Sequence, residues 1–219
     1  MVCGRDRQRI ENAAARLEAV GGPGSAVALV ADVSRPAGAT AFVAGAIDAL
    51  GTVDILVPNA GGPPPGTFAS TDVDAYAEAL DLNLMSVVAM CKAAIPAMQE
   101  RRWGRVVAIT SISVRQPIGT LILSNTARTG ATGFLKTVAR EVAGDGVTVN
   151  SVQPGTHATD RMTALHGGDV SAAARDIPAG IVGDPADFGM VVAFLCSEHA
   201  RFITGAALNV DGGAYAGLQ

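Results

Sequence analysis

Two hydroxyls and one guanidinium stand at spacings that invite chemistry. Ser111 closes a β-branched run, "RVVAITS"; Ser124 follows thirteen residues later, and Arg128 four after that, inside a helical stretch. A serine hydroxyl can donate a hydrogen bond to a substrate oxygen, and an arginine fork can hold oxygens while staying charged. Neither is a good proton donor, because an alkyl hydroxyl is a weak acid and arginine keeps its proton at any ordinary pH. The trio therefore offers oxygen binding and fixed positive charge.

The elements that must position these residues alternate regularly. Strand candidates are 26–31 ("AVALVA"), 53–57 ("VDILV"), 105–110 ("RVVAIT"), 147–152 ("VTVNSV") and 206–210 ("AALNV"). Between them lie Ala-rich helical stretches at 7–20, 37–50, 72–100, 123–143, around 172–175 and 185–197. Short strands separated by longer helices read as βαβ units with a mainly parallel sheet. The helix around 84–98 is apolar nearly all round and is expected to be buried on more than its sheet side. Small residues on 123–143 (Ala127, Gly130, Ala131, Gly133) allow another backbone to approach, so helices 72–100 and 123–143 are expected to carry a homodimer or homotetramer interface.

Composition narrows the classes further. At 219 residues and 49% hydrophobic, the chain is expected to be one domain spanning 1–219 with a well-filled core. A net charge of -4 gives no footprint for nucleic acid, and the one gathering of arginines (Arg101, Arg102 and Arg105 around Trp103) falls at a helix end, where cations are favoured anyway. No uninterrupted apolar run reaches the roughly 18 residues that span a bilayer, since Lys92 breaks the best candidate. The start, "MVCGRDRQRIE", is charged and unlike a signal peptide. Cys3, Cys91 and Cys196 lack ligand spacing and read as reduced, structural thiols of a cytoplasmic protein, with no metal site.

Several segments then fall in a telling order: "ADV" at 31–33, "PNAGG" at 58–62, "DLNL" at 81–84, "ITS" at 109–111, "VNSVQPG" at 149–155 with Thr159 behind it, and "ITGAALNVDGG" at 203–213. Together they resemble the classical short-chain dehydrogenase/reductase family, of the 3-oxoacyl-carrier-protein reductase kind, along essentially the whole chain. The resemblance implies a Rossmann-like three-layer α/β/α fold and NADP or NAD as cofactor. It implies that Asp32 and Val33 flank the adenine, that Asn59, Ala60 and Gly61 line the adenosine side, and that Pro154, Gly155 and Thr159 wall the nicotinamide. Arg5 takes the place of a cation against a 2'-phosphate. Asn83 matches the asparagine that holds a proton-relay water, and Ser111 the serine that binds the substrate oxygen.

Two departures stand out. The family's tyrosine and lysine fall on Ser124 and Arg128, which removes the phenol that normally trades a proton with the carbonyl oxygen. His157, Ser124 relaying to a water at Asn83, and Arg115 as a polarising cation are the candidate substitutes. The chain also begins where the family's second strand ends, without the first βα unit and its glycine-rich, pyrophosphate-binding turn. If Met1 is the true start, the strand at 26–31 is expected to pair directly with 53–57, and cofactor binding to be weak or lost. The function expected is an NAD(P)-dependent carbonyl/secondary-alcohol oxidoreductase with a non-standard proton donor. The alternatives are a non-redox enzyme on the same fold (dehydratase, isomerase or cyclase) and an impaired pseudoenzyme.

Overall fold

A computed structural model describes residues 1–218. β1 (Val2–Gly4) and β2 (Ala28–Val30) form a short parallel pair; β3 (Ile55–Leu56), β4 (Gly104–Ile109), β5 (Val147–Pro154) and β6 (Ala207–Val210) form a four-stranded sheet in chain order, also parallel. The connecting helices are α1 (Arg7–Gly21), α2 (Pro36–Leu50), α3 (Ala75–Leu80), α4 (Ser86–Glu100), α5 (Ile122–Val142), α6 (Asp160–Leu165) and α7 (Pro185–Leu195). Side chains alternate across a strand. On β4 and β5, Val106, Ala108, Val147 and Val149 meet α2, α4 and α5 on one face, while Val107 and Val152 meet α7 on the other. The parallel, helix-covered sheet expected from the alternation is present, in the three-layer Rossmann-like α/β arrangement that the resemblance implies. α6, which the periodicity does not reveal, is a short turn in the segment after β5.

One expectation fails. β2 does not pair with β3: its neighbour is β1, in the register Val2↔Ala28, Cys3↔Leu29, Gly4↔Val30, extended by Ala31 N–H to Gly4 C=O at 3.0 Å. α2 packs along α4 and so ties the β1–β2 pair to the rest of the domain without a shift of the strands. β1 and β3 each keep one edge unpaired among the described residues, and Ile55 and Val57 are 47% and 41% exposed.

The helix expected over 72–100 is broken in register rather than in direction. Between α3 and α4, Asp81–Met85 form a π-turn, which widens the helix by a residue and turns Asn83 inward to 3% exposure. The whole stretch, Ala75–Glu100, is long and apolar enough to cross a membrane, with mean hydropathy 1.4, contrary to the reading from uninterrupted runs. Val87, Met90, Cys91, Ala94, Ile95 and Met98 instead face the protein core. Burial raises all three thiols, Cys91 to about 12, in keeping with structural cysteines.

The arginine cluster is internally neutralised. Arg101 pairs with Asp54 at 3.0 Å and Arg102 with Asp145 at 3.1 Å, while the buried Arg105 lies over the Trp103 ring and 3.6 Å from Glu198. On β5, Asn150, 1% exposed, donates to Ile203 C=O at 2.8 Å and accepts from Ala206 N–H at 3.0 Å, which fixes where β6 begins. Asn150→Ala strands both backbone groups. It is expected to cost about 2 kcal/mol and lower Tm by roughly 4–8 °C in thermal unfolding.

Candidate active site

The carboxyl ends of β3, β4 and β5 meet where loops 58–66, 110–121 and 154–160 converge, the usual place for a ligand in an open parallel sheet. Four successive carbonyls of the loop after β3 are each held by a side chain. Ala60 C=O accepts from Arg128 Nη2 at 3.2 Å, Gly61 C=O from Asn83 Nδ2 at 2.9 Å, Gly62 C=O from Arg161 Nη1 at 3.1 Å, and Pro63 C=O from Arg161 Nη2 at 3.2 Å. Farther along, Gly66 N–H donates to Thr120 C=O at 2.7 Å and Gly66 C=O accepts from Ile122 N–H at 3.2 Å, so the proline-rich stretch is fastened to the start of α5.

Arg128 lies on α5, 9% exposed. Besides Ala60 it holds the end of β4, donating through Nη1 to Ile109 C=O at 2.9 Å and Thr110 C=O at 3.1 Å. Burial, and behind it the Arg161 charge, lowers its pKa from 12.5 to about 10, so at neutral pH it is a cation. Ser111 follows directly. Its Oγ caps a 3-10 turn (Ile112–Val114) by accepting from Ser113 N–H at 3.1 Å, leaving its O–H free to donate. Ser124, one helical turn before Arg128 and 8% exposed, makes no hydrogen bond with its hydroxyl. Asn83 Oδ1 is buried without a partner. The structure thus brings Arg128 and Asn83 together on the Ala60–Gly61 backbone, with Ser111 one residue beyond the Thr110 carbonyl that Arg128 holds and Ser124 one turn before Arg128 on α5.

Two residues considered as substitutes face elsewhere. His157 turns to the α7 side: Nδ1 lies 3.2 Å from Gly155 C=O, the ring packs edge-on against Phe188, and a Cβ at Gly183 would come within 2.7 Å of Nε2. There it lines a cavity of about 210 Å³ with Ile177, Phe188 and Val210, apart from Ser111. Arg115 reaches to Ala207 C=O at 2.8 Å and stacks on the Tyr215 ring, toward β6.

On the side expected to hold the nucleotide, Arg5 and Asp32 stand just beyond β1 and β2. The backbone N–H and then the hydroxyl of Ser34 lower the Asp32 pKa, with Arg5 and Arg35 adding to it. Val33 packs on the core; Asn59 is exposed and Gly61 has open space around its Cα. Pro154 ends β5 against Val210, and at Gly155 a Cβ would stand 2.8 Å from Asp211 Cα, so only glycine lets β6 come this close. Thr159 caps α6, its Oγ1 accepting from Met162 N–H at 3.3 Å.

Arg161 was not legible as a site residue. Its signal in the sequence is a cation beside Asp160 in the segment after β5, which nothing in the spacing ties to the loop at 60–63. Gln153, 0% exposed with neither side-chain amide atom bonded among the described residues, stands opposite Asn209, whose amide is likewise unpartnered, in the β5–β6 register.

The family model described as Enoyl-(Acyl carrier protein) reductase matches residues 1–215. The 3-oxoacyl-[acyl-carrier-protein] reductase FabG of Vibrio cholerae is 36% identical over 201 residues, covering 90% of this chain and 80% of the relative. An NADPH-bound short chain oxidoreductase of Pseudomonas aeruginosa PAO1, described as containing an atypical catalytic center, superposes with TM-score 0.90 at 29% identity, over 99% of this chain and 86% of that one. YwfH, an NADPH-dependent reductase involved in bacilysin biosynthesis, has TM-score 0.93 over 99% and 88% of the two chains; at 23% identity it shows the fold alone.

Arg128→Met removes the donor to three carbonyls at once. It is expected to destabilise the chain by about 3 kcal/mol or more, a Tm lower by roughly 10 °C in thermal unfolding.

Proposed function

The chain belongs to the short-chain dehydrogenase/reductase family, and on that premise we propose that it is an NADP(H)-linked oxidoreductase interconverting a carbonyl and a secondary alcohol without a phenolic proton donor. The observation that supports this reading is the O–H of Ser111, unused as a donor among the described residues, one residue beyond Thr110 C=O, which the buried Arg128 holds at 3.1 Å. A nicotinamide nucleotide, when bound, supplies or accepts the hydride. The donor set suits it: Arg5 is an exposed cation beside Asp32, Asn59 and Gly61 leave open backbone at the strand ends, and Thr159 retains its hydroxyl proton. These residues, with Val33, Ala60, Pro154 and Gly155, would hold it.

Ser111 donates to the substrate oxygen. Arg128 remains protonated there and acts by its charge, which favours the oxygen as it becomes negative. The proton comes from water, positioned by the unpartnered Asn83 Oδ1 and the free Ser124 hydroxyl. Losing a positioned general acid costs about a hundredfold to ten-thousandfold, so slow turnover is expected. His157 stays outside this scheme because its ring is occupied on the α7 side.

The test is NADPH binding, followed by fluorescence, together with nucleotide consumption on small ketones. Ser111→Ala is expected to lower kcat/KM by about a hundredfold or more. The double change Ser124→Tyr with Arg128→Lys is expected to raise reduction by about a hundredfold or more. A flat or abolished rate in that double variant would assign the pocket to non-redox chemistry.

A homo-oligomer joined through 72–100 and 123–143 is part of the same proposal. It is supported by Val73, 82% exposed, and by open space at Gly133 on α5. Light scattering of the purified chain is expected to give the mass of a dimer or tetramer; a monomer at micromolar concentration would refute it.

A further inference from the structure

Arg161 and Arg128 come from α6 and α5 yet hold carbonyls of a single stretch, Ala60 to Pro63. Neither has a carboxylate partner among the described residues: Asp160, the acid next to Arg161, is taken by Arg9 at 3.0 Å, and Asp81 by Arg35 at 3.3 Å. Carbonyl dipoles carry only partial charge, so two guanidiniums on one loop leave positive charge uncompensated. Each also keeps N–H groups to spare, since Nε of Arg128 and Nε of Arg161 make no hydrogen bond.

The surroundings suit an oxyanion. Arg128 is buried and fixed by its three carbonyls, while Arg161 is exposed at the mouth, within reach of a ligand. Gly62 is what permits this, because a Cβ there would stand 2.6 Å from Arg161 Nη2. The prolines at 63–65 stiffen the loop between them, so little freedom is lost on binding. A guanidinium fork matches two oxygens of a carboxylate or phosphate in its plane.

We propose that Arg161 and Arg128 form a two-guanidinium receptor for an oxyanion carried by a ligand of this site, a phosphate of the nucleotide or a carboxylate of the substrate. The proposal rests on the reading of these strand ends as the ligand site. In the free chain, Arg161 uses the same fork to hold the segment after β5 down on the loop; a bound oxyanion takes over the donors that this leaves unused.

Calorimetric titration of the full chain at low salt tests it with three probes: NADPH, the keto acid 4-oxopentanoate, and the neutral methyl ester of that acid. Arg161→Gln is expected to weaken at least one anionic probe by about tenfold to a hundredfold and to leave the ester unchanged. Arg161→Lys should restore part of the loss, since it keeps charge but not the fork. Arg161 is exposed, so both variants should fold, with a Tm lowered by only about 2–4 °C for the lost hold on Gly62 and Pro63 C=O, which thermal unfolding checks. A loss confined to NADPH identifies the oxyanion as phosphate; a loss confined to the keto acid identifies it as a substrate carboxylate. Unchanged affinity for both anions, equal loss for acid and ester, or a parent chain that binds neither anion would overturn the proposal. A chain that binds the keto acid through Arg161 yet never NADPH would keep the receptor and retire the redox reading.

Discussion

Four consecutive carbonyl oxygens, from Ala60 to Pro63, decide the shape of this site. A loop leaving a parallel strand has no ladder partner for its carbonyls, and a buried carbonyl without a partner is costly. Here the partners are side chains from three elements: Arg128 from α5, Asn83 from the π-turn, and Arg161 from α6. The same Arg128 binds the last carbonyls of β4, so one guanidinium joins the ends of two strands and sets Ser111 on the next residue.

This explains why arginine suits position 128 for structural reasons. A buried cation is expensive unless it is well hydrogen-bonded, and a planar group with five N–H donors can meet three carbonyls at the end of β4 and in the loop after β3. The lowered pKa records the desolvation that this costs. It also separates two functions that a catalytic cation can combine. In the proposed mechanism Arg128 supplies field and framework, while proton traffic falls to hydroxyls and water.

The π-turn at Asp81–Met85 has the same logic. A regular helix through 72–100 would rotate Asn83 away from the loop; one extra residue in the turn aims its amide at Gly61 C=O and leaves Oδ1 buried without a partner among the described residues. Ser86, the first residue of α4, donates its hydroxyl to Leu82 C=O within that turn at 2.6 Å. Local strain of this sort is commonly kept where a side chain must be aimed.

Much of the fold was legible from the chain alone. Strand and helix positions follow from short-range periodicity, and the residues at the strand ends (Asn59, Ser111, Pro154) are fixed once the strands are placed; the family resemblance then follows from their order. What the sequence left undecided depends on partners far away in the chain. Arg128 and Ala60 are 68 residues apart, and Arg161 and Pro63 are 98 apart. His157 and Arg115 are both candidate substitutes beside Ser111 by position in the chain, while in the fold the His157 ring packs on Phe188 and Arg115 reaches Ala207 C=O. The pairing of β2 likewise depended on whether three residues at the start of the chain could satisfy its edge, which they do. The sequence by itself determined which elements form and which residues stand at their ends, because those are local preferences. The direction in which each charged side chain points was decided only by the tertiary structure, because a buried donor goes where unpaired carbonyls are, and those are gathered by folding.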